Sequence, residues 1–520
     1  MRYDLPRRLL RGLLTSLGVA AALGGCSSLD VTNPNQQSTQ SFWTTVDDAN
    51  RALNATYNGL LPNGVFGRWQ AFANDIRSDI GTARTSPWGD LGNFNAFQLS
   101  DYNFEVNREL WTHNYELISR ANLVIANVPG MNIDPALRSR MVAEAKFLRA
   151  LGYYNLVTLF ENVPLVVTPP LPADRPATAP PADTWAQIEK DLSDAAADLP
   201  VSYTGADVGR ATKGAAQGML GKARLQQRKW PEAAQALSLV IASGRYSLLA
   251  NYADNFTQAM DNVNPESLFE VQTEDMYPIV TGLSFPKMIG PCRRSDATPQ
   301  LDYNPTYCDG RPTRWYFDEF SKSKTATGLP DPRLDATILY NRPDRATEMV
   351  YDKPRSFYFQ NDPAAPAIRL DTMLFFRKYG ETYLRQDQRW DNPINYKVLR
   401  YADVLLMQAE ALNEQNQPAQ AASFVNQVRR RVGKSDLAGL STAQMRDSIL
   451  YERMFELGLE SSRFNDLRRQ NLLTPALAAH DRDFAAGNGA PGFVTGKSER
   501  LPIPATETNL NPNVKQNPGW

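Results

Sequence analysis

The feature that most limits the fold is a helical segment with very little side-chain bulk. Ala211 to Gln227 carries Gly214, Ala215, Ala216, Gly218, Gly221 and Ala223. A helix this thin lets a second helix pack at close range. Arg228-Lys229-Trp230-Pro231 then turns the chain, and Pro231 suits the first turn of the next helix. That helix is expected to run to Ser243 and stop at Gly244. Residues 400–415 and 418–432 read as a second pair of the same kind.

Further helices follow from apolar spacing and punctuation. Asp47 to Leu61 places Ala49, Leu53, Tyr57 and Leu60 on one stripe, and Pro62-Asn63-Gly64 ends it. Residues 108–128 repeat the pattern with Trp111, Tyr115, Ile118, Asn122 and Ile125, and 135–160 with Met141, Ala145, Leu148, Gly152 and Leu159. Asp183 is expected to cap a helix ending at Leu199. Ser441 and Gln444 spell a capping box opening one helix over 442–470. Paired helices in units of about 34 residues resemble tetratricopeptide repeats. The Pro-rich run Pro164 to Pro181 reads as a surface loop. Residues 250–395 lack helical period and are expected to hold loops and short elements; 481–520 reads mostly as coil. The fold class expected is mainly α, a helix-pair scaffold with a loop-rich half.

The N-terminus sets an address. Arg2, Arg7, Arg8 and Arg11 precede an uncharged stretch from Leu13 to Gly25, then Cys26. The stretch is too short for a comfortable transmembrane helix and has the length of a secretory h-region. Leu23-Gly24-Gly25-Cys26 resembles a bacterial lipobox. Residues 1–25 are thus expected to be a signal peptide, Cys26 the lipidated residue and 26–40 a tether. Lipid, including palmitate, would then be the sole membrane contact. Without residues 1–25, Lys+Arg falls from 55 to 51 and Asp+Glu from 56 to 55, a charge of about −4. No basic face favours nucleic acid. Cys292 and Cys308 remain as an even pair in an exported, oxidising setting, where a disulfide is expected and two free thiols are the other arrangement.

Catalytic signatures are scarce. The two histidines, His113 and His480, sit in no zinc motif, and no Gly-x-Ser-x-Gly is present. Thr495-Gly496-Lys497-Ser498 is similar to a phosphate loop, but Pro491 occupies the position needing glycine. Asp75 and Asp79 form a carboxylate pair near Trp69 and Trp88, the one basis for a glycoside-hydrolase reading. Glu452, Glu456 and Glu460, followed by Arg463, Asp466, Arg468 and Arg469, read as an ion-pair network locking the last helices rather than as a ligand site. No catalytic residue, metal ligand or cofactor is expected.

A series of short strings carries a family resemblance. It includes Asn33-Pro34-Asn35, Phe42-Trp43, Arg120-Ala121-Asn122, Glu144-Ala145-Lys146-Phe147-Leu148-Arg149-Ala150, Val163-Pro164-Leu165 and Gly209-Arg210-Ala211-Thr212. It continues with Leu399-Arg400-Tyr401-Ala402-Asp403, Ala409-Glu410-Ala411, Glu452-Arg453, Glu456-Leu457, Asp466-Leu467-Arg468-Arg469, Leu501-Pro502-Ile503-Pro504 and Asn517-Pro518-Gly519-Trp520. In this order the chain resembles the SusD/RagB family of surface nutrient-binding lipoproteins. The resemblance implies one body over 41–520, with an N-terminal part (41–245), a loop-rich insert (about 250–395) and a C-terminal part (about 396–520). It implies an outer-membrane protein facing outside, partnered by a SusC-like TonB-dependent transporter. The ligand would be a glycan or, alternatively, a peptide, with no catalysis. Sugar rings stack on aromatics while hydroxyls take polar partners. Trp88, Trp315 and Tyr316 are therefore the leading ligand contacts, with Trp69, Arg84, Asn93 and Tyr277 as additions.

Overall fold

A computed structural model describes residues 42–520, apart from 84–88, 172, 277–278, 282, 294–305, 362, 364–368, 381–391 and 480–491. The lipobox, Cys26 and His480 lie outside the described residues. The main helices are α1 (Val46–Asn58), α2 (Gly89–Asn95), α3 (Glu105–Asn127), α4 (Pro135–Phe160), α5 (Pro181–Asp198), α6 (Lys213–Gln226), α7 (Trp230–Ala242), α8 (Arg314–Lys322), α9 (Pro332–Thr337), α10 (Tyr401–Asn413), α11 (Pro418–Arg431), α12 (Thr442–Leu457) and α13 (Arg463–Arg469). Four short strands matter to the site: β1 (Gly81–Ala83), β2 (Ser267–Val271), β3 (Gly310–Pro312) and β4 (Tyr396–Arg400). β1 pairs antiparallel with β3, and β2 with β4. The fold is mainly α.

The helices form a continuous stack, α3 on α4, α4 on α5, α5 on α6, α6 on α7, α7 on α10, and α10 on both α11 and α12. The thin helix sits at its centre. A Cβ on Gly221 would fall 2.5 Å from Leu237 Cγ of α7, and one on Gly218 would fall 2.6 Å from Leu399 Cδ2 of β4. Small residues on α6 therefore admit α7 on one side and the β2–β4 ribbon on the other. The Pro-rich run is held by side chains of α3 and α4. Tyr115 donates to the Pro164 carbonyl, Asn122 to Val166 and Thr168, and Arg149 to Val167. Arg149 also grips Asp191 of α5 with two 2.8 Å bonds. At the C-terminus, Asn517 donates to the carbonyls of Phe160 and Leu501.

Two local expectations are corrected. Asp183 lies in the first turn of α5, whose cap is Pro180, because Pro181 already takes the first helical position. The helix opened by the Ser441–Gln444 capping box stops at Leu457 instead of running to 470. Gly458 is extended, and Leu459 and Ser461 have φ of +66° and +56°. Buried donors take the carbonyls that the break exposes. Arg400 Nη2 lies 2.7 Å and Tyr252 Oη 3.0 Å from the Glu456 carbonyl, and Lys378 Nζ 2.7 Å from that of Gly458.

Around this break lies a buried ion network. Arg400 donates to Glu266 (2.7 Å), Glu456 (2.5 Å) and Glu460 (2.6 and 2.8 Å). Arg333 binds Asp331, Glu452 and Glu456, and Arg431 binds Glu266 and Glu456. A second group joins Arg453 to Asp403 and Asp466, Arg469 to Glu410 and Asp466, and Lys222 to Asp403. Arg468 stands apart from the pairs read in sequence: it donates to the carbonyls of Thr158 and Glu499.

Burial works to raise the Asp403 carboxyl, but Lys222 and Arg453 outweigh it and hold the group well below its ordinary value. Glu456 is held low in the same way by Arg431, Arg400 and Arg333. Depressed carboxylates add stability above their unfolded value, about pH 4, and lose it as pH falls further. Urea unfolding should therefore show stability dropping below about pH 4. Asp403→Asn should remove about 3–5 kcal/mol at pH 7 and flatten that acid limb. An unaltered acid limb would contradict the role given to Asp403. Gly221→Val should cost about 1–3 kcal/mol by overpacking against Leu237, read as a lower Tm; an unchanged Tm would show that α7 can retreat.

Candidate ligand-binding face

The short β1–β3 ribbon pairs the strand that precedes residues 84–88 in the chain with the strand that precedes Trp315. Ala83 pairs with Gly310 and Gly81 with Pro312. Residues 84–88 follow β1 directly and precede α2. Trp88 and Arg84 lie within that segment, and Tyr277 within 277–278, all outside the described residues. At the Ala83–Gly310 end, the Cys292–Cys308 disulfide joins two chain segments with Cα atoms 5.7 Å apart. Arg311 lies beside it, donating to Met373 Sδ (3.3 Å) and Cys308 Sγ (3.5 Å), with its guanidinium 5.7 Å from the Phe375 ring.

At the other end of β3, Thr313 fastens helix α8. Its amide donates to the Ile80 carbonyl (3.0 Å), its hydroxyl to the Asp79 carbonyl (2.7 Å), and that hydroxyl accepts the Tyr316 amide (3.2 Å). The cap fixes which residues of α8 face inward. Tyr316 and Phe320, four apart, are fully buried, while Trp315 is only half-buried. Neighbours on a helix point about 100° apart, so the two aromatics of Trp315-Tyr316 have different fates. Tyr316 is thus corrected from ligand contact to core residue: its hydroxyl donates to the Met454 carbonyl at 3.2 Å. Trp69 is corrected likewise. It is fully buried, its Nε1 donates to Glu109 (2.8 Å), and Phe72 meets it edge-on. Asn93, half-exposed on α2, lies 3.5 Å from Asp90. His113 accepts the Gly64 amide through Nδ1.

The carboxylate pair is closed to substrate. Asp79 and Asp75 are fully buried. Arg463 clamps Asp79 with bonds of 2.8 and 2.7 Å. Asp75 accepts the amides of Ser461, Ser462 and Arg463 at 2.6, 3.3 and 3.1 Å. Burial pushes the Asp75 carboxyl up to about 7 against the pull of those amides. In space the pair fastens the chain around 461–463 to the segment before β1. The hydrolase reading therefore loses its only geometric support.

Two open clefts among the described residues contain none of the nominated side chains. One, of about 760 Å³, lies between α1 and the 205–210 and 270–274 segments and includes Tyr57, Arg210 and Gln272. The other, of about 520 Å³, includes Tyr340, Arg342, Arg345 and Arg377. Sequence reading missed the second because its arginines are dispersed; only Arg342-Pro343-Asp344-Arg345 hinted at a charged corner.

Known proteins match the chain in two consecutive blocks. Residues 28–225 match the family model described as starch-binding associating with outer membrane, and residues 265–520 match the SusD family model. A SusD-like protein of Formosa agariphila is 27% identical over 91% of this chain and 91% of its own length. The starch-binding protein SusD of Bacteroides thetaiotaomicron is 25% identical over 78% of this chain and 76% of its own. Among solved structures, a laminarin-binding SusD-like protein has 28% identity and a TM-score of 0.72, covering 92% of this chain and 100% of that one. A SusD superfamily protein of Bacteroides vulgatus reaches a TM-score of 0.78 at 26% identity, with 92% and 100% coverage. No helix among the described residues is long and apolar enough to cross a membrane. The same order of matches, helix stack and loop-rich half place the chain in one group: it belongs to the SusD/RagB family.

Proposed function

We propose that this chain is a lipid-anchored receptor on the outer face of the outer membrane. It captures oligosaccharides with Trp88 and Trp315 as the stacking contacts, and passes them to a SusC-like TonB-dependent transporter. The observation that carries this reading is the match of both family models, in order, across nearly the whole chain, the first described as starch-binding and outer-membrane associated. Trp315 supports the site because it stays half-open on a helix whose inward face is already filled. Trp88 would supply the second stacking surface, with Arg84, Asn93 and Tyr277 meeting hydroxyls. Lipid on Cys26 would keep the receptor beside its transporter.

Two measurements test the reading. Trp88→Ala and Trp315→Ala should each weaken binding of a neutral glycan found by screening, by about 1–3 kcal/mol in calorimetry. Unchanged affinity in both would overturn the site. Purification from native membranes should bring down a TonB-dependent barrel, and Cys26→Ala should release the chain from the membrane fraction. Recovery without any barrel would remove the transporter.

A further inference from the structure

A cavity of about 30 Å³ lies between α4, α6, β4 and the chain at 460–465, apart from both open clefts. The side chains lining it are buried, except for the half-buried Ser461. Two chains of side-chain amides start from one backbone carbonyl and end at this cavity. The Gly64 carbonyl accepts from Gln70 Nε2 (3.5 Å) and from Asn114 Nδ2 (3.0 Å). In the first chain, Asn74 Nδ2 donates to Gln70 Oε1 (2.8 Å) and Asn465 Nδ2 to Asn74 Oδ1 (3.0 Å). In the second, Asn155 Nδ2 donates to Asn114 Oδ1 (3.0 Å).

The sense of both chains is fixed, because a carbonyl can only accept. Further bonds from Asn74 Nδ2 to the Gln70 carbonyl and from Asn114 Nδ2 to the Leu110 carbonyl pin the same orientation. Each amide therefore spends its NH₂ backward along the chain and offers its oxygen forward. The two last oxygens are Asn465 Oδ1 and Asn155 Oδ1, and both residues line the cavity. Asn465 is 97% buried, and among the described residues no group donates to its Oδ1. None among them donates to Asn155 Oδ1 either. Donors stand across the cavity. Lys222 Nζ carries three hydrogens and gives one to Asp403 at 3.1 Å. The Tyr154 hydroxyl, within reach of the Lys222 charge, lines the cavity as well.

We propose that this cavity is an internal hydration site for two water molecules, which donate to Asn465 Oδ1 and Asn155 Oδ1 and accept from Lys222 Nζ. Water fits by size, since each molecule needs about 10–15 Å³ of such space. It fits by chemistry too, because it donates to amide oxygens and accepts from an ammonium at once. A metal cation would face the Lys222 ammonium. An anion would face two amide oxygens and Glu460, whose own oxygens are taken by Lys378 and Arg400. The two waters complete both amide chains and tie α4 and α6 to the chain at 465. The site is independent of any glycan contact.

The test is a crystal structure of the full chain at a resolution that shows ordered water, with a second crystal held under xenon. Ordered water within hydrogen-bond distance of Asn465 Oδ1 and of Asn155 Oδ1 is expected. Xenon, which settles in dry apolar cavities, should stay out. No solvent at either oxygen, xenon in the cavity, or a metal ion or anion in place of water would each overturn the proposal. Oxygen-17 relaxation dispersion counts long-lived internal waters in solution. Asn155→Leu removes one of the two acceptors, and Met219→Phe fills the cavity from its apolar side without touching either amide chain. Each variant should lose at least one long-lived water relative to the unaltered chain. An unchanged count in a variant with a cooperative unfolding curve would contradict the site. The crystal result on the unaltered chain decides the matter even where a variant fails to fold.

Discussion

Glu456 stands fully buried at the last turn of α12, and three arginines from three separate parts of the chain reach it. Arg333 comes from the loop-rich half, Arg400 from the end of β4 and Arg431 from the end of α11. A buried carboxylate is stable only when its partners are in place, and removing one leaves the others as unpaired buried charge. The helical stack and the irregular half are thus tied to each other by buried charges that share partners: Arg400 and Arg431 also hold Glu266, and Arg333 also holds Asp331 and Glu452. Lys378 and Arg400 extend the tie by capping the carbonyls where α12 breaks. The break in turn presents the 461–463 amides to Asp75.

Asp75 and Asp79 carry that order outward. Both are held by residues 461–463, and the Asp79 carbonyl holds Thr313, the cap of α8. Trp315 is therefore positioned by a chain of contacts running from the central network to the end of β3. The division of labour is plain: charges and small residues inside build a rigid frame, and the frame presents aromatics at its rim. Aromatic stacking needs such rigidity, because a mobile platform gives back in lost entropy what the contact contributes.

The helices were legible in sequence because punctuation and apolar spacing are local signals. The small residues of α6 announced a close helix contact, and Gly221 makes it with Leu237 of α7, whereas Gly218 meets Leu399 of strand β4 and Gly214 meets Tyr246. The charged strings were legible as an ion-pair network, yet not their partners: Arg400 meets Glu460 across 60 positions, and Asp75 meets Ser461 across 386. For the same reason the break at Gly458 was hidden, since its cause is a set of donors from distant segments. Trp69 and Tyr316 were misread because residue type does not report which side of a helix is covered. The arginines of the second cleft, gathered around Asp335, escaped because the members of that corner are spread from 335 to 377.

Hydrogen exchange of the chain with and without a bound neutral oligosaccharide bears most directly on this account. Amides around 89–95 and 313–318, flanking the nominated aromatics, should exchange more slowly with glycan present, while those of 456–466 should be unaffected. Protection confined to 456–466, with none at 89–95 or 313–318, would mean that the buried charges serve the ligand and that the frame and the binding face have been assigned the wrong way round.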